Sequence, residues 1–324
     1  MQGDDFGSRI LVTGANGFVG RALVADLVRR GERVTAATRS TAAFPDEVRA
    51  VRIGNLGPDT DWSEALANCE IVVHCAARVH VMNDTAVDPT AEYQMANVQG
   101  TRALARQAAA ANVKRFVFLS SVKVNGERTW PGKPFTHRDP PARMDPYGTS
   151  KADAEEALQA VARAASMEYT IVRPALVYGP GVRANFLAMS QWVARGIPLP
   201  LGAVTANRRA FVAIDNLLNL LAIVLRHPSA ANQVFLASDG DDMSTVTLLR
   251  RTADALGVRV RLVPVPMWAL SLGAIVLRKP ELVRRLVHSL ELDISNARKR
   301  LGWKPPIAVD EGLRRTFSRT DTYG

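Results

Sequence analysis

The sequence predicts an α/β fold: a doubly wound parallel sheet with a smaller, mostly helical C-terminal lobe. Three observations carry that prediction. Short apolar runs without polar alternation recur through the first half, as expected of strands buried on both faces. Amphipathic stretches at helical spacing separate them, and this alternation produces right-handed crossovers in a parallel sheet. A glycine-spaced turn joins the first apolar run to the first amphipathic stretch.

In chain order, residues 10–12, 34–38, 48–53, 71–75, 116–119 and 170–173 read as the buried strands. Helical patterns occupy 21–30, 92–111 and 147–165. After Pro174 the chain is punctuated by Gly179-Pro180-Gly181, Gly196-Ile197-Pro198 and Pro200-Leu201-Gly202, which mark turns. A strand at 211–214, a helix at 216–226 and a strand at 233–237 follow. The remainder, 244–324, is mostly helical with a loop-rich end. The expected division places 1–175, with about 211–238, in the sheet domain, and 176–210 with 239–324 in the second lobe.

The chain has 324 residues, 47% of them hydrophobic and 22% charged, enough for a substantial core. Lysine and arginine total 41 against 31 acids, a net charge of +10. These cations are spread along the chain and form no nucleic-acid motif. The balance therefore favours a phosphate-bearing small molecule over nucleic acid. Cys69 and Cys75 lie in or beside an apolar stretch without metal-ligand spacing and read as reduced core thiols of a cytoplasmic protein. No stretch reaches the apolar length of a membrane span. The nearest, 263–277, is interrupted by Pro264, Pro266 and Gly273 and reads as a buried helix with a proline-rich entry. Contact with a membrane surface, aided by Arg278, Lys279, Arg284 and Arg285, is the lesser alternative.

The turn Thr13-Gly14-Ala15-Asn16-Gly17-Phe18-Val19-Gly20 suits a dinucleotide. Gly14 permits the tight turn, Gly17 a close approach to a pyrophosphate, and Gly20 close helix–strand packing. The helix N-terminus offers N–H groups to phosphate. At the end of the second strand, where an acid commonly binds the 2′-hydroxyl of NAD, stand Thr38 and Arg39. A guanidinium there suits a 2′-phosphate, so NADP or NAD is expected, with a tilt to NADP. Tyr147 and Lys151 are four residues apart, on one helical face. A neighbouring ammonium, together with the nicotinamide cation when that is bound, is expected to lower the tyrosine pKa and fit it for proton transfer.

These residues resemble the extended short-chain dehydrogenases/reductases that act on nucleotide sugars, the NAD-dependent epimerase/dehydratase family. The resemblance covers nearly the whole chain. It rests on glycines 14, 17 and 20, Ala76-Ala77, Asn97-Val98-x-Gly100-Thr101, Ser120-Ser121 and Tyr147-x-x-x-Lys151. It continues in Arg173-Pro174-x-x-Val177-Tyr178-Gly179-Pro180-Gly181 and closes on Leu301-Gly302-Trp303-x-Pro305. It implies a Rossmann domain whose cofactor contacts are Gly14, Asn16, Gly17, Phe18, Val19, Gly20, Arg39, Asn55, Leu56, Ala76, Ala77, Asn97, Lys151 and Pro174. It implies Ser121, Tyr147 and Lys151 as the catalytic group, with Ser120 in a supporting role. Asn185, Phe186 and Arg209 are the implied contacts to a UDP-sugar, beside Ser121 and Tyr147, with Arg208 as the alternative to Arg209. A homodimer through the 147–165 helix is a further implication.

Three reactions occur among such proteins. Dehydration calls for an Asp-Glu pair after the catalytic hydroxyl residue, where this chain has Val122-Lys123. The absence of an acid after the second strand tilts the reading to an NAD(P)H-dependent 4-ketoreductase. Its expected substrate is a UDP-activated amino sugar such as UDP-4-keto-6-deoxy-N-acetylglucosamine, for surface polysaccharide synthesis. The alternative is a UDP-hexose 4-epimerase with tightly bound NAD. A non-catalytic dinucleotide sensor is disfavoured because Tyr147 and Lys151 are both present. A steroid or flavonoid ketone reductase is disfavoured by Asn185, Arg209 and the basic charge.

Overall fold

The computed structural model describes residues 9–40, 42–79, 88–182, 184–276 and 280–318. The first half runs β1 (Arg9–Thr13), α1 (Phe18–Arg29), β2 (Arg33–Thr38), β3 (Arg49–Arg52), α2 (Ser63–Leu66) and β4 (Cys69–His74). Then come α3 (Pro89–Tyr93), a π-helical segment Gln94–Gln99, α4 (Gly100–Ala110), β5 (Arg115–Leu119), α5 (Pro146–Ala164) and β6 (Glu168–Pro174). The second half comprises β7 (Leu176–Tyr178), α6 (Ala184–Ala194), β8 (Phe211–Ala213), α7 (Ile214–Arg226) and β9 (Gln233–Ala237). It ends with α8 (Thr245–Leu256), α9 (Met267–Val276), α10 (Pro280–Val287), α11 (Ser295–Leu301) and α12 (Val309–Phe317).

Seven strands form one parallel sheet in the order β3-β2-β1-β4-β5-β6-β9. Strand order reverses between β1 and β4, which opens a crevice at their carboxyl ends. Alternation along each strand feeds two cores. Ile10 and Val12 of β1 pack with Leu23 and Leu27 of α1 and Leu217 and Leu221 of α7. Leu11 points the other way, to Leu104 of α4 and Leu158 of α5. Each such side chain, fully buried, contributes about 1.5–3 kcal/mol. The lobe beyond the sheet has two apolar centres, one around Tyr178, Phe186 and Leu313 and one around Val193, Leu249 and Leu270.

Four expectations need correction. The first helix starts at Phe18 rather than at residue 21, because Gly17 is already the extended cap residue. The 92–111 helix is one continuous path from Pro89 but passes through a π turn. Residues 211–213 do not join the main sheet. They pair in parallel with β7, a three-residue strand whose half-exposed Leu176 leaves no apolar run to read. The 263–277 stretch is helical from Met267 but only partly buried: Leu270 is 8% exposed, whereas Trp268 is 69% and Leu272 56% exposed.

Candidate active site

The glycine turn is built around its own backbone. Gly14 has φ +64°, and a Cβ on it would stand 2.8 Å from Ala76 Cα. A Cβ on Gly20 would come within 2.2 Å of the Gly14 carbonyl oxygen, and one on Gly17 within 3.1 Å. The Gly17 N–H donates to the Gly14 carbonyl at 2.8 Å. Gly17 caps α1 without any side-chain acceptor, and the first turn holds no acid, so the helix end is left to an external anion. This cradle, kept open by missing Cβ atoms, fits a dinucleotide pyrophosphate.

Around it, exposed Asn16 donates to Ser40 Oγ at 3.2 Å, and Phe18 and Val19 pack partly buried on the core below. Arg39, Arg52, Ile53, Gly54 and Asn55 line an open pocket of 430 Å³ at the carboxyl ends of β2 and β3. Leu56 lies against Gly100 at the start of α4, its Cβ 3.3 Å from where a Gly100 Cβ would be. Ala76 and Ala77 follow β4 half-buried, and the Ala76 N–H donates to Thr13 Oγ1 at 3.2 Å.

Asn97 is 2% exposed, and its amide is engaged within the protein. It accepts from the Arg78 N–H at 2.7 Å and donates to the Arg78 carbonyl at 3.0 Å and to Ser150 Oγ at 2.9 Å. It ties the loop after β4 to α5.

The hydroxyl pair arises from two abutting turns. Ser121 follows β5, and its Oγ accepts from the Lys123 N–H at 3.2 Å. Asp145 caps α5 by accepting from the Gly148 N–H at 3.1 Å, and Lys123 Nζ lies 3.2 Å from Asp145 Oδ2. A Cβ on Gly148 would meet the Lys123 carbonyl at 2.8 Å, so this glycine lets α5 dock on the turn after Ser121. The docking brings the Ser121 hydroxyl beside the Tyr147 phenol.

In the protein alone Lys151 does not bring the tyrosine pKa down. Burial pushes the Tyr147 phenol up to about 12, with Asp145 and Tyr93 adding to the rise and the Ser121 hydroxyl opposing it. The Tyr93 ring stands edge-on to Tyr147, centres 6.1 Å apart. Lys151 spends its Nζ on the Leu119 carbonyl at 2.8 Å and sits 3.9 Å from the centre of the Phe118 ring. Its own pKa is pulled down to about 7 by burial.

A model of the NAD dependent epimerase/dehydratase family matches residues 10–237. The chain belongs to this family. It is 45% identical over 307 residues, 95% of this chain and 94% of the relative, to a UDP-glucose 4-epimerase of Vibrio cholerae. It is 30% identical over 333 residues to a 2-alkyl-3-oxoalkanoate reductase of Stenotrophomonas maltophilia, covering 95% of this chain and 98% of that protein. Among solved structures, MoeE5 in complex with UDP-glucuronic acid and NAD aligns with a TM-score of 0.76 at 26% identity, over 95% of this chain and 97% of that one.

Within this extended short-chain dehydrogenase/reductase, the sequence leaves unseen a charged cluster behind the site. Arg173 and Glu155 are 5% and 2% exposed and form a forked ion pair with bonds of 2.9 Å and 2.6 Å. Arg173 also donates to Asn125 Oδ1 at 3.1 Å, and Ser120 donates to Glu155. Ser120 is thereby structural. Glu155 lies four residues after Lys151, so the spacing that singles out the Tyr–Lys pair extends to it. His74 is likewise buried, sharing hydrogen bonds with Thr13 Oγ1 at 2.6 Å and Thr101 Oγ1 at 3.1 Å.

On the far side of the crevice, Pro174 ends β6, buried. Phe186 is 3% exposed and stacks between Tyr178 and Phe317, so its ring belongs to the lobe core. The Asn185 side chain lies outside the described residues. Arg209 is held between two segments: its N–H donates to the Met243 carbonyl at 2.9 Å and its guanidinium to the His288 carbonyl at 3.0 Å. Arg208 is more exposed, and its guanidinium donates to the Asn207 carbonyl at 3.4 Å.

Proposed function

We propose that this chain is a UDP-hexose 4-epimerase that interconverts UDP-glucose and UDP-galactose with NAD in the glycine cradle. The observation that carries the reading is the 45% identity with the Vibrio cholerae UDP-glucose 4-epimerase over 95% of this chain. It reverses the order of preference drawn from the missing acid after β2. The nucleotide sugar is assigned to the lobe of residues 176–210 and 239–324, with Arg209 toward the diphosphate.

Gly14, Gly17, Gly20 and the α1 N-terminus would hold the pyrophosphate, and the Arg39–Asn55 pocket the adenosine. Bound NAD would supply the hydride acceptor and, in its oxidised form, a positive charge beside the phenol. The Ser121 hydroxyl holds the 4-oxygen of the sugar. Tyr147 Oη, as phenolate, would take the proton of the 4-hydroxyl and later return it, while bound NAD would supply the acceptor and donor for the hydrogen on carbon 4. Because burial, with Asp145 and Tyr93, holds this phenol at about 12, the phenolate requires positive charge nearby, which is the task assigned to Lys151 together with the oxidised nicotinamide ring.

A second reading is favoured by one observation. The pocket at the ends of β2 and β3 is lined by two guanidinium groups, Arg39 and Arg52, and no carboxylate. That lining suits a 2′-phosphate and hence an NADPH-dependent 4-ketoreductase. Two assays separate the readings. The epimerase converts UDP-galactose to UDP-glucose with no net cofactor turnover. The ketoreductase oxidises NADPH with UDP-4-keto-6-deoxy-N-acetylglucosamine and leaves UDP-galactose untouched, an outcome that removes the epimerase. In either case Tyr147→Phe lowers kcat by about 10²–10⁴-fold, while UDP still protects the variant against thermal unfolding.

A further inference from the structure

The lobe formed by α6, α8, α9 and α10 gathers exposed apolar side chains that the sugar chemistry does not use. Trp192 and Ile197 are 49% and 41% exposed, Val263 and Met267 45% and 42%, Trp268 and Leu272 69% and 56%. They belong to one body. Val193 of α6, Leu249 of α8 and Leu270 of α9 share a buried cluster. The segments carrying Ile197 and Val263 are joined by bonds from the Leu199 N–H to the Arg261 carbonyl and from the Val263 N–H to the Leu199 carbonyl, both 2.8 Å. On α9, Trp268 and Leu272 are one turn apart on the outer face, and Leu270 faces inward. The helix contains no charged residue, and Ser271 is its one hydroxyl-bearing side chain, so its sequence does little to suit an outer face to water.

The charge on these segments is predominantly positive. Asp254 near the end of α8 and Glu281 in α10 flank them in sequence, but neither 182–214 nor 255–280 contains an aspartate or glutamate, and Arg195, Arg259 and Arg261 are exposed on them. A second copy meeting this face about a two-fold axis would bring two positively charged patches together. An anionic bilayer complements both features, since apolar side chains enter the headgroup boundary and the guanidinium groups meet lipid phosphates. Tryptophan is favoured at that boundary. No described helix is long and apolar enough to cross a membrane, which leaves α9 lying in the surface plane.

We propose that this face docks the protein reversibly on an anionic lipid bilayer, with α9 in the headgroup layer. The proposal is independent of the sugar reaction, because soluble UDP-sugars are assayed without lipid. The test is sedimentation of the purified full chain with vesicles of phosphatidylglycerol and phosphatidylcholine, against phosphatidylcholine alone. The expected result is binding to the anionic vesicles, weakened about tenfold by high salt or by removal of the anionic lipid, with a blue shift of tryptophan emission. The Trp268→Ser/Leu272→Ser variant should lose about tenfold in partitioning with its Tm unchanged, since both side chains are exposed in the folded chain. The proposal is overturned by any of three results. These are no binding to anionic vesicles, equal binding of the variant, or a lipid-free dimer in light scattering that the variant converts to monomer.

Discussion

The Lys151 ammonium is 1% exposed, bonded to one backbone carbonyl and set against the Phe118 ring. Burial pulls its pKa from 10.5 down to about 7, while Glu155 and Cys75 pull it back up. Between those two pH values the unfolded chain holds this proton more tightly than the folded one. Lys151 therefore opposes folding fully below about pH 7, and that opposition fades as pH rises toward 10.5. Replacement by methionine removes the titrating group. The Tm of Lys151→Met relative to wild type should be most favourable near pH 6.5 and decline steadily toward pH 10.5. Parallel Tm–pH curves for the two proteins would sink this account. The same residue marks the limit of a spacing argument. Four-residue separation places Tyr147 and Lys151 on one face, but not the direction of the ammonium, which Leu119 of a different element decides.

At the scale of elements, α5 is the organising piece. Its cap Asp145 fixes it to the turn after Ser121, and its face carries Tyr147, Lys151 and Glu155 at successive four-residue steps. Glu155 then locks this helix to β6 through Arg173. Removing one member of a buried ion pair leaves an uncompensated charge, costing about 3–5 kcal/mol, whereas an apolar pair of similar volume is often neutral. Glu155→Leu and Arg173→Met should each lower the urea midpoint by that order, and the double variant should recover a large part of the loss. Additive losses would show that the two residues act separately. The glycine turn, the Ser121 turn and the Tyr–Lys face were legible in the sequence because each is a local pattern with a chemical reason. The Glu155–Arg173 pair was not, because its partners stand 18 residues apart on different elements and meet only once the crossover is packed. Arg173 was visible as part of a motif without its purpose. Phe186 shows the opposite error, a local motif read as ligand contact whose ring tertiary packing takes into the core.

For the whole molecule, five of the six strands of the first half were readable because each is buried on both faces and so lacks polar alternation; β3, at the sheet edge, buries only Val51. The lobe was less readable. A three-residue strand such as β7 has no period, and a helix without charges such as α9 looks buried unless the neighbours that leave one face uncovered are known. One titration reports on the sheet as a unit. His74, at the carboxyl end of β4 beside the strand-order reversal, bonds Thr13 of β1 and Thr101 of α4 and stacks on Phe118 of β5, ring centres 5.6 Å apart. Burial first, and the Lys151 charge second, lower its pKa from 6.5 to about 3. Below 6.5 the unfolded chain takes up a proton that the folded chain refuses, so stability falls as pH drops toward 3, by up to about 1.4 kcal/mol per pH unit from this group. Asp242 works in the opposite direction. Burial raises its pKa from 3.8 to about 6, so its contribution to stability grows as pH falls through 6, equally in wild type and in any His74 variant. The difference between two urea-unfolding series, wild type and His74→Asn, taken from pH 7 to pH 4, isolates the histidine. The wild-type free energy should fall more steeply than that of the variant throughout. Equal slopes would mean that the imidazole gains its proton without the sheet opening, and that the bridge between β1, β4 and α4 is not a folding constraint.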